Sequence, residues 1–422
     1  MNEVWIAAAV FVVAYALIVI EPFDRTLIAL LAGLLVVVLG VIDQHQAFAA
    51  IDLNVIFLLV GLMVIAGILA RTGLFEWVAV RCVILSRGRP AVLLVLLATA
   101  TAVTSAFFDN VTTVVLTVPV VLVVARRLGV TPVPYLITIV FASNIGGTAT
   151  LIGDPPNIMI GSAAGLDFND FLFNLAPVSI LIYTATAVIM YLMFRGHLEV
   201  PEGRREAAVE ATESATITDR LLLIRSLVVT ALTLLGFLFH QALGLEAATI
   251  ALLGATTLMI VGRIDPHDAL RDVEWRTLFF FVGLFVLVQA VVHVGIVGGI
   301  ADWFADKTAG DLTLASLSLL WMSAGVSALV DNIPYTATAI PVVQHLVDTG
   351  LSPTPLWWAL ALGACLGGNL TLVGASANVV VANMSMREGH PIHFLQFLRY
   401  GLVITVVSLL IATAYVWLRY LT

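Results

Sequence analysis

Ser105-Ala-Phe-Phe-Asp109-Asn110-Val-Thr112-Thr113 and, further on, Ser143-Asn144-Ile-Gly146-Gly147-Thr148-Ala-Thr150-Leu-Ile-Gly153-Asp154-Pro155-Pro156-Asn157 interrupt apolar runs that would otherwise serve as membrane helices. Carboxylates, amides and hydroxyls at membrane depth are costly and mark a substrate or ion pathway. Gly and Pro beside them break the backbone, which is tolerated only against protein or a wet cavity. A buried polar knot satisfied internally is the simpler alternative. It loses ground because the whole arrangement occurs twice.

A shift of 222 positions carries Asp109-Asn110 onto Asp331-Asn332, Ser105-Ala106 onto Ser327-Ala328 and Pro119 onto Pro341. The same shift carries Asp43 onto Asp265, Gly61 onto Gly283 and Gly73 onto Gly295. With one residue deleted, Gly146-Gly147 meets Gly367-Gly368, Thr150 meets Thr371 and Asn157 meets Asn378. A register kept over the whole chain is a duplication, the commonest plan of secondary transporters. Repeat one covers 3–195 and repeat two 225–422. The polar segment 196–224 reads as a solvated cytoplasmic linker.

Outside these clusters the chain is 61% hydrophobic and only 11% charged, with a mean hydropathy of +1.09. Soluble proteins carry about 25% charged residues, so the fold class is an all-α polytopic membrane protein, expected in the cell (inner) membrane. A net charge of −8 without a basic tail excludes nucleic-acid binding. The run 4–20 has no basic n-region and reads as a retained helix, not a leader. Cys82 and Cys365 are too few for a disulfide framework or a closed zinc site, and both read as small core residues. No metal, no cofactor and no nucleophile–base pair is expected, so the chain is not read as an enzyme.

At about 20 apolar residues per span, repeat one holds spans at 3–20, 26–42 and 54–70, then an amphipathic surface piece at 72–86. Two arms, 91–107 and 111–125, flank the Asp109-Asn110 tip and could be two spans or one re-entrant hairpin. A span broken at 146–156 covers 133–163, and 172–194 closes the repeat. Repeat two matches with 226–241, 248–262, 277–292, arms 312–329 and 333–347, a broken span 356–383, and 394–418. Arg71, Arg81, Arg87 and Arg89 precede the first arms and Arg126 and Arg127 follow them, so the pair enters and leaves on the cytoplasmic face. Short arms around a polar tip favour a hairpin. Five spans plus a hairpin make the repeats inverted. With the N-terminus outside, all 19 basic residues except Lys307 and Arg419 fall on the cytoplasmic side.

Inverted symmetry brings the polar clusters together at mid-depth. The expected ion- and substrate-binding set is Asp109, Asn110, Thr112, Thr113, Asn144, Gly147, Thr148, Thr150, Asp154 and Asn157 with Asp331, Asn332, Asn369, Thr371, Ser376 and Asn378. Any single Thr or Asn among them could instead cap a helix end or rescue broken backbone. Asp109, Asp331 and Asp154 suit proton or sodium coupling. This core reads as three Asp without Arg, Lys or His. Such chemistry suits a neutral polyhydroxyl solute or a partly dehydrated cation.

SAFFDNVTT, ASNIGGTATLIGDPPN and the duplicated SALVDNIPYTAT and GGNLTLVGASANVV resemble the ion transporter superfamily. The branch they are most similar to holds arsenite-efflux permeases, NhaD-type sodium/proton antiporters and the pink-eyed-dilution protein. The resemblance implies a scaffold from the first three spans of each half and a transport domain from hairpins and broken helices. The second loop has Gly374-Ala-Ser-Ala-Asn378 where the first has Gly153-Asp-Pro-Pro-Asn157. That loss of charge symmetry weighs against a two-sodium arrangement like that of the dicarboxylate carriers.

The expected function is proton-coupled efflux of arsenite and antimonite, with a sodium/proton antiporter or an anion channel or transporter as alternatives. Expected partners are a small inorganic solute, a coupling proton or sodium, and membrane lipid. A second copy in a homodimer and, if ATP drives transport, a separate ATPase subunit complete them.

Overall fold

The structure is a computed structural model and describes residues 2–197 and 217–422. All regular elements among these are helical, and eight helices are long and apolar enough to cross a membrane. Trp5, Leu27, Leu31 and Leu34 stand outward at 63–74% exposure, a surface that suits lipid and not water.

The first half runs Asn2–Ile20, Arg25–Val38, Gln44–Ala49, Leu53–Arg71 and the short Leu74–Ser86. Arms Pro90–Ser105 and Asn110–Leu128 follow, then a broken helix, Val133–Thr148 and Pro155–Ala164, and finally Phe168–Asn174 and Ala176–Phe194. The second half repeats this order without a counterpart of Phe168–Asn174, with arms Leu312–Val330 and Asn332–Asp348 and a broken helix Pro353–Gly367 and Ser376–Arg387. Three expectations shift at their edges, one being that the span expected over 172–194 starts at Ala176, after the separate short helix Phe168–Asn174. The span expected over 26–42 stops at Val38, because Asp43 caps a separate short helix through a capping box with Gln46. The helix expected over 226–241 begins at Arg220, so the stretch read as a linker over 196–224 loses 220–224 to a helix; its part 198–216 lies outside the described residues. The run Leu221-Leu222-Leu223-Ile224 explains the early start, since it continues the apolar helix between two Arg residues whose stems can lie along apolar surface.

Many acidic residues serve helix starts, where a carboxylate satisfies an orphan N–H and the helix dipole. Asp24, Asp52, Asp265 and Asp311 each accept a backbone N–H one or two positions into their helix. They are structural and leave few carboxylates for chemistry.

The two halves are locked together by matching small-residue crossings. Leu53–Arg71 meets Ala247–Gly262 where Gly61 faces Ala251: a Cβ at 61 would lie 2.6 Å from the Ala251 carbonyl carbon. Trp275–His293 crosses Arg25–Val38 where Gly283 faces Ala29, the image of the first contact. Gly61→Ala should therefore destabilise by about 1–3 kcal/mol through overpacking. Gly299→Ala, with nothing within 4 Å of the added methyl, should be neutral or stabilising by helix propensity alone. Thermal unfolding of the two purified variants checks this; equal midpoints would contradict the close crossing.

Each hairpin leans on the broken helix of its own half. Gly146 packs on Ala102 and Gly367 on Ala324, again as images. The Thr150 hydroxyl donates to the Ala106 carbonyl just before the first tip, and Thr371 donates to Ala328 before the second. Both tips then meet at one centre, as described next. The first arm of the first hairpin is too short to span a bilayer core. The 16 residues of the arm Pro90–Ser105 span about 24 Å, short of a bilayer core of about 30 Å.

Candidate functional site

The break Ala149–Asp154 delivers one carboxylate to the middle of the molecule. Asp154 stands just before the helix Pro155–Ala164 but makes no capping bond to it. It turns instead to the hairpins: Asn110 Nδ2 donates to Asp154 Oδ1 at 3.2 Å, and Asn332 Nδ2 reaches Oδ1 and Oδ2, each at 3.2 Å. Asp154 is fully buried, and among the described residues no cation pairs with it. One carboxylate thus joins the tips of both halves.

Amides extend this centre. Asn110 Nδ2 also donates to Asn144 Oδ1 at 3.3 Å, and Asn144 Nδ2 donates to Asn369 Oδ1 and Asn378 Oδ1 at 3.0 and 2.9 Å. The amide nitrogen of Asn369 is buried and has no partner among the described residues. A ligand acceptor would find one donor waiting there.

Other expected site residues hold the breaks open. Asn157 Nδ2 donates to the carbonyls of Gly147, Thr148 and Thr150, and Asn378 Nδ2 to those of Gly368 and Thr371. Thr148 donates to the Asn144 carbonyl. These are backbone-rescue bonds, required because unwound carbonyls cannot be left bare at this depth. Gly147 lets the Gly153 backbone approach closely. Thr112 gives Asp109 its backbone N–H, and the buried Thr113 hydroxyl has no partner among the described residues.

The matching tips are not equivalent. Asp109 has ordinary extended backbone, φ −57° and ψ 152°, and caps its arm through Thr112 N at 2.9 Å. Asp331 caps through Ile333 N but sits at φ 79°, ψ 143°, a region almost reserved for glycine. Such strain costs about 1–3 kcal/mol and persists only where surroundings over-determine it. Here Ser376 Oγ donates to Asp331 Oδ2 at 2.7 Å, and Arg25 Nη1 approaches the same oxygen at 3.1 Å and Ser376 Oγ at 2.7 Å. This corrects the expectation of a core without Arg. Arg25 starts the second helix of the chain, stacks on Phe280 and reaches the second tip.

Cys365 adjoins this set. It is buried as expected, yet its thiol lies 3.5 Å from Asn157 Oδ1. With the one-residue deletion of the duplication, Cys365 is the position matching Asn144, so Asn144–Asn378 and Cys365–Asn157 are image contacts. The alignment of the halves carried that signal.

The duplication relates two cavities. One, of about 850 Å³, is lined by Asp24, Arg25, Glu274, Arg276, Ser376 and Asn383 among others. The other, of about 500 Å³, is lined by Asn54, Ile158, Ser162, Asp167, His240 and Glu246 among others. They are images: Arg276 with Asp24 in the first corresponds to Asn54 with Glu246 in the second, an ion pair facing a hydrogen bond of 3.3 Å. Arg25 corresponds to Ala247, so only the first cavity carries a cation to the site.

The comparisons with known proteins agree with this architecture. An uncharacterized transporter of Mycobacterium tuberculosis is 44% identical over 423 residues, 98% of each chain. A 46 kDa membrane protein of Mycobacterium leprae is 44% identical over 99% of each. The human P protein is 33% identical over 98% of this chain and 60% of its own length. In fold, the YdaH transporter of Alcanivorax borkumensis, described as having an unusual topology, superposes with a TM-score of 0.59 at 17% identity, covering 99% of this chain and 97% of that one. The family described as citrate transporter (CitMHS) matches residues 15–363. The chain is a multi-pass membrane transporter that belongs to the CitMHS family of the ion transporter superfamily.

Proposed function

We propose that this chain is a secondary transporter coupled to protons, with Asp154 carrying the coupling proton and arsenite or antimonite as the exported solute. The observation that carries this reading is the enclosure of Asp154 by the amides of both hairpin tips, with no cation beside it. A buried unpaired charge costs several kcal/mol; a proton removes that cost, and its arrival or departure changes how both tips are held. The cytoplasmic membrane is the expected location, and the face bearing most basic residues is its inner side. The larger cavity then opens inward.

For the solute, the amide and hydroxyl lining and the unpartnered Asn369 amide support a neutral trihydroxide. Arg25 does not remove that support, because its guanidinium is already engaged by Asp331 and Ser376. It does favour a second reading: if Asp331 lets go, Arg25 could take a small anion such as a carboxylate, in keeping with the family's description. Gradient-driven coupling requires no ATPase subunit.

Everted membrane vesicles with an acid interior should accumulate arsenite several-fold over vesicles treated with a protonophore, with no dependence on ATP. Arsenate and citrate should not accumulate. Citrate uptake without arsenite would favour the second reading, and sodium uptake without either would favour a sodium/proton antiporter. Arsenite uptake should survive Cys82→Ala/Cys365→Ala, because a single thiol beside Asn157 offers one soft ligand only. Its loss would assign Cys365 a role in the path.

A further inference from the structure

Glu274 stands one residue before the helix Trp275–His293, where the duplication puts Asp52 in the first half. The two positions do different work. Asp52 Oδ1 caps its helix by accepting from Val55 N at 3.1 Å. Glu274 makes no capping bond; its Oε2 accepts only the Thr277 hydroxyl, at 3.1 Å, and the side chain lines the larger cavity. Asp52 does not line the smaller one. A longer carboxylate has replaced a cap and been released from structural duty, on one side of the molecule alone.

The cations around it are committed elsewhere. Glu21, Asp24 and Arg25 face the cavity from the first half, Arg276 from Glu274's own helix, and Asp109 acts on it from the first hairpin tip. Arg276 pairs with Asp24, and Arg25 bonds Asp331 and Ser376. Glu274 has no ion pair among the described residues. Burial pushes its carboxyl up to about 7, the like charge of Asp109 adds to this, and the Thr277 hydroxyl and Arg25 oppose it.

We propose that Glu274 is the inner-face proton-binding site of the transport cycle, exchanging the coupling proton with solvent in the larger cavity. In the exchange an O–H bond of a hydronium ion in the cavity breaks and one forms at the Glu274 carboxylate; the carboxylate is restored when the proton passes back to water. A group that titrates near neutrality can be reloaded and emptied at cytoplasmic pH. At the matching position the smaller cavity has no carboxylate, because Asp52 does not line it. This rests on the proposed proton coupling and on the larger cavity being the inner one.

Difference infrared spectra of the purified full chain test the proton site without any solute. Between mildly acid and mildly alkaline pH, the wild type should lose a protonated-carboxyl band that is missing from Glu274→Gln, shifted in Glu274→Asp, and unchanged in Asp52→Asn. A band that persists in Glu274→Gln would overturn the proposal. In everted vesicles, whose outer medium bathes the cytoplasmic face, arsenite uptake should bend near neutral external pH. Glu274→Gln should remove the bend and lower uptake several-fold, while Glu274→Asp restores both. A bend that survives in Glu274→Gln would also overturn it. If the wild type carries no arsenite, the solute reading fails, and the infrared spectra still decide for or against Glu274.

Discussion

Asp154→Asn should abolish gradient-driven transport, by roughly a hundredfold or more, the scale expected when a proton-transferring group is lost. The substitution keeps shape and one acceptor oxygen, so Asn110 and Asn332 retain a partner and the fold should survive. It removes the exchangeable proton. Asp109→Asn should cost much less in stability and leave partial transport, because its cap needs only the oxygen that accepts from Thr112 N. Proton flux and solute uptake measured together in proteoliposomes separate these outcomes. Full gradient-driven activity in Asp154→Asn would sink the assignment of Asp154 as carrier.

That assignment differs in emphasis from what the residues alone suggest, and the reason is physical. Asp109 and Asp331 stand out in the sequence because their context is duplicated. Duplication, however, marks shared structure as readily as shared chemistry, and both Asp residues prove to be helix caps. Asp154 has no counterpart, since Ala375 fills its place in the second half. Its lack of a partner is what frees it from structural work.

The helices, the hairpins and the breaks were legible because each leaves a local mark: an apolar run of membrane length, a polar tip, a Gly or Pro cluster. Arg25 left none. It sits at the edge of a span, where Arg ordinarily meets lipid head groups and water, and the partner it reaches lies 306 positions away. Nothing in the linear order says that the second helix of one half will stand beside the second tip of the other. That follows from the Gly33–Gly283 crossing, which brings Arg25 against Phe280 and so beside Asp331. Glu274 was hidden for the opposite reason. In sequence it looks like one more acid before a helix, and only the missing cap bond distinguishes it from Asp52.

Arg25→Leu should destabilise the protein by about 2–3 kcal/mol, and Arg25→Leu/Asp331→Asn should recover most of that loss. The single change leaves a carboxylate at the second tip with Ser376 and the Ile333 N–H but no opposite charge. Breaking a buried pair from one side costs about 3–5 kcal/mol. A value at or below the bottom of that range applies here because the Arg25 side chain is 26% exposed and that of Asp331 10%, so solvent screens part of the interaction. Asp331→Asn alone should cost less than Arg25→Leu, since a partly exposed guanidinium can swing into the larger cavity and be hydrated. The backbone at residue 331 sharpens the asymmetry. Its φ of 79° is held against about 1–3 kcal/mol of strain by the bonds to Asp331, and removing Arg25 weakens that hold. The pair also joins a helix of the proposed scaffold to a tip of the proposed transport domain, so it must open whenever those parts move relative to each other. Arg25→Leu should therefore raise the rate at which a cysteine placed at residue 376 is labelled by a small thiol reagent, in a background lacking Cys82 and Cys365. Thermal unfolding of the four proteins in the cycle gives the coupling energy; single and double variants that lose stability additively would mean that Arg25 and Asp331 do not act as a pair.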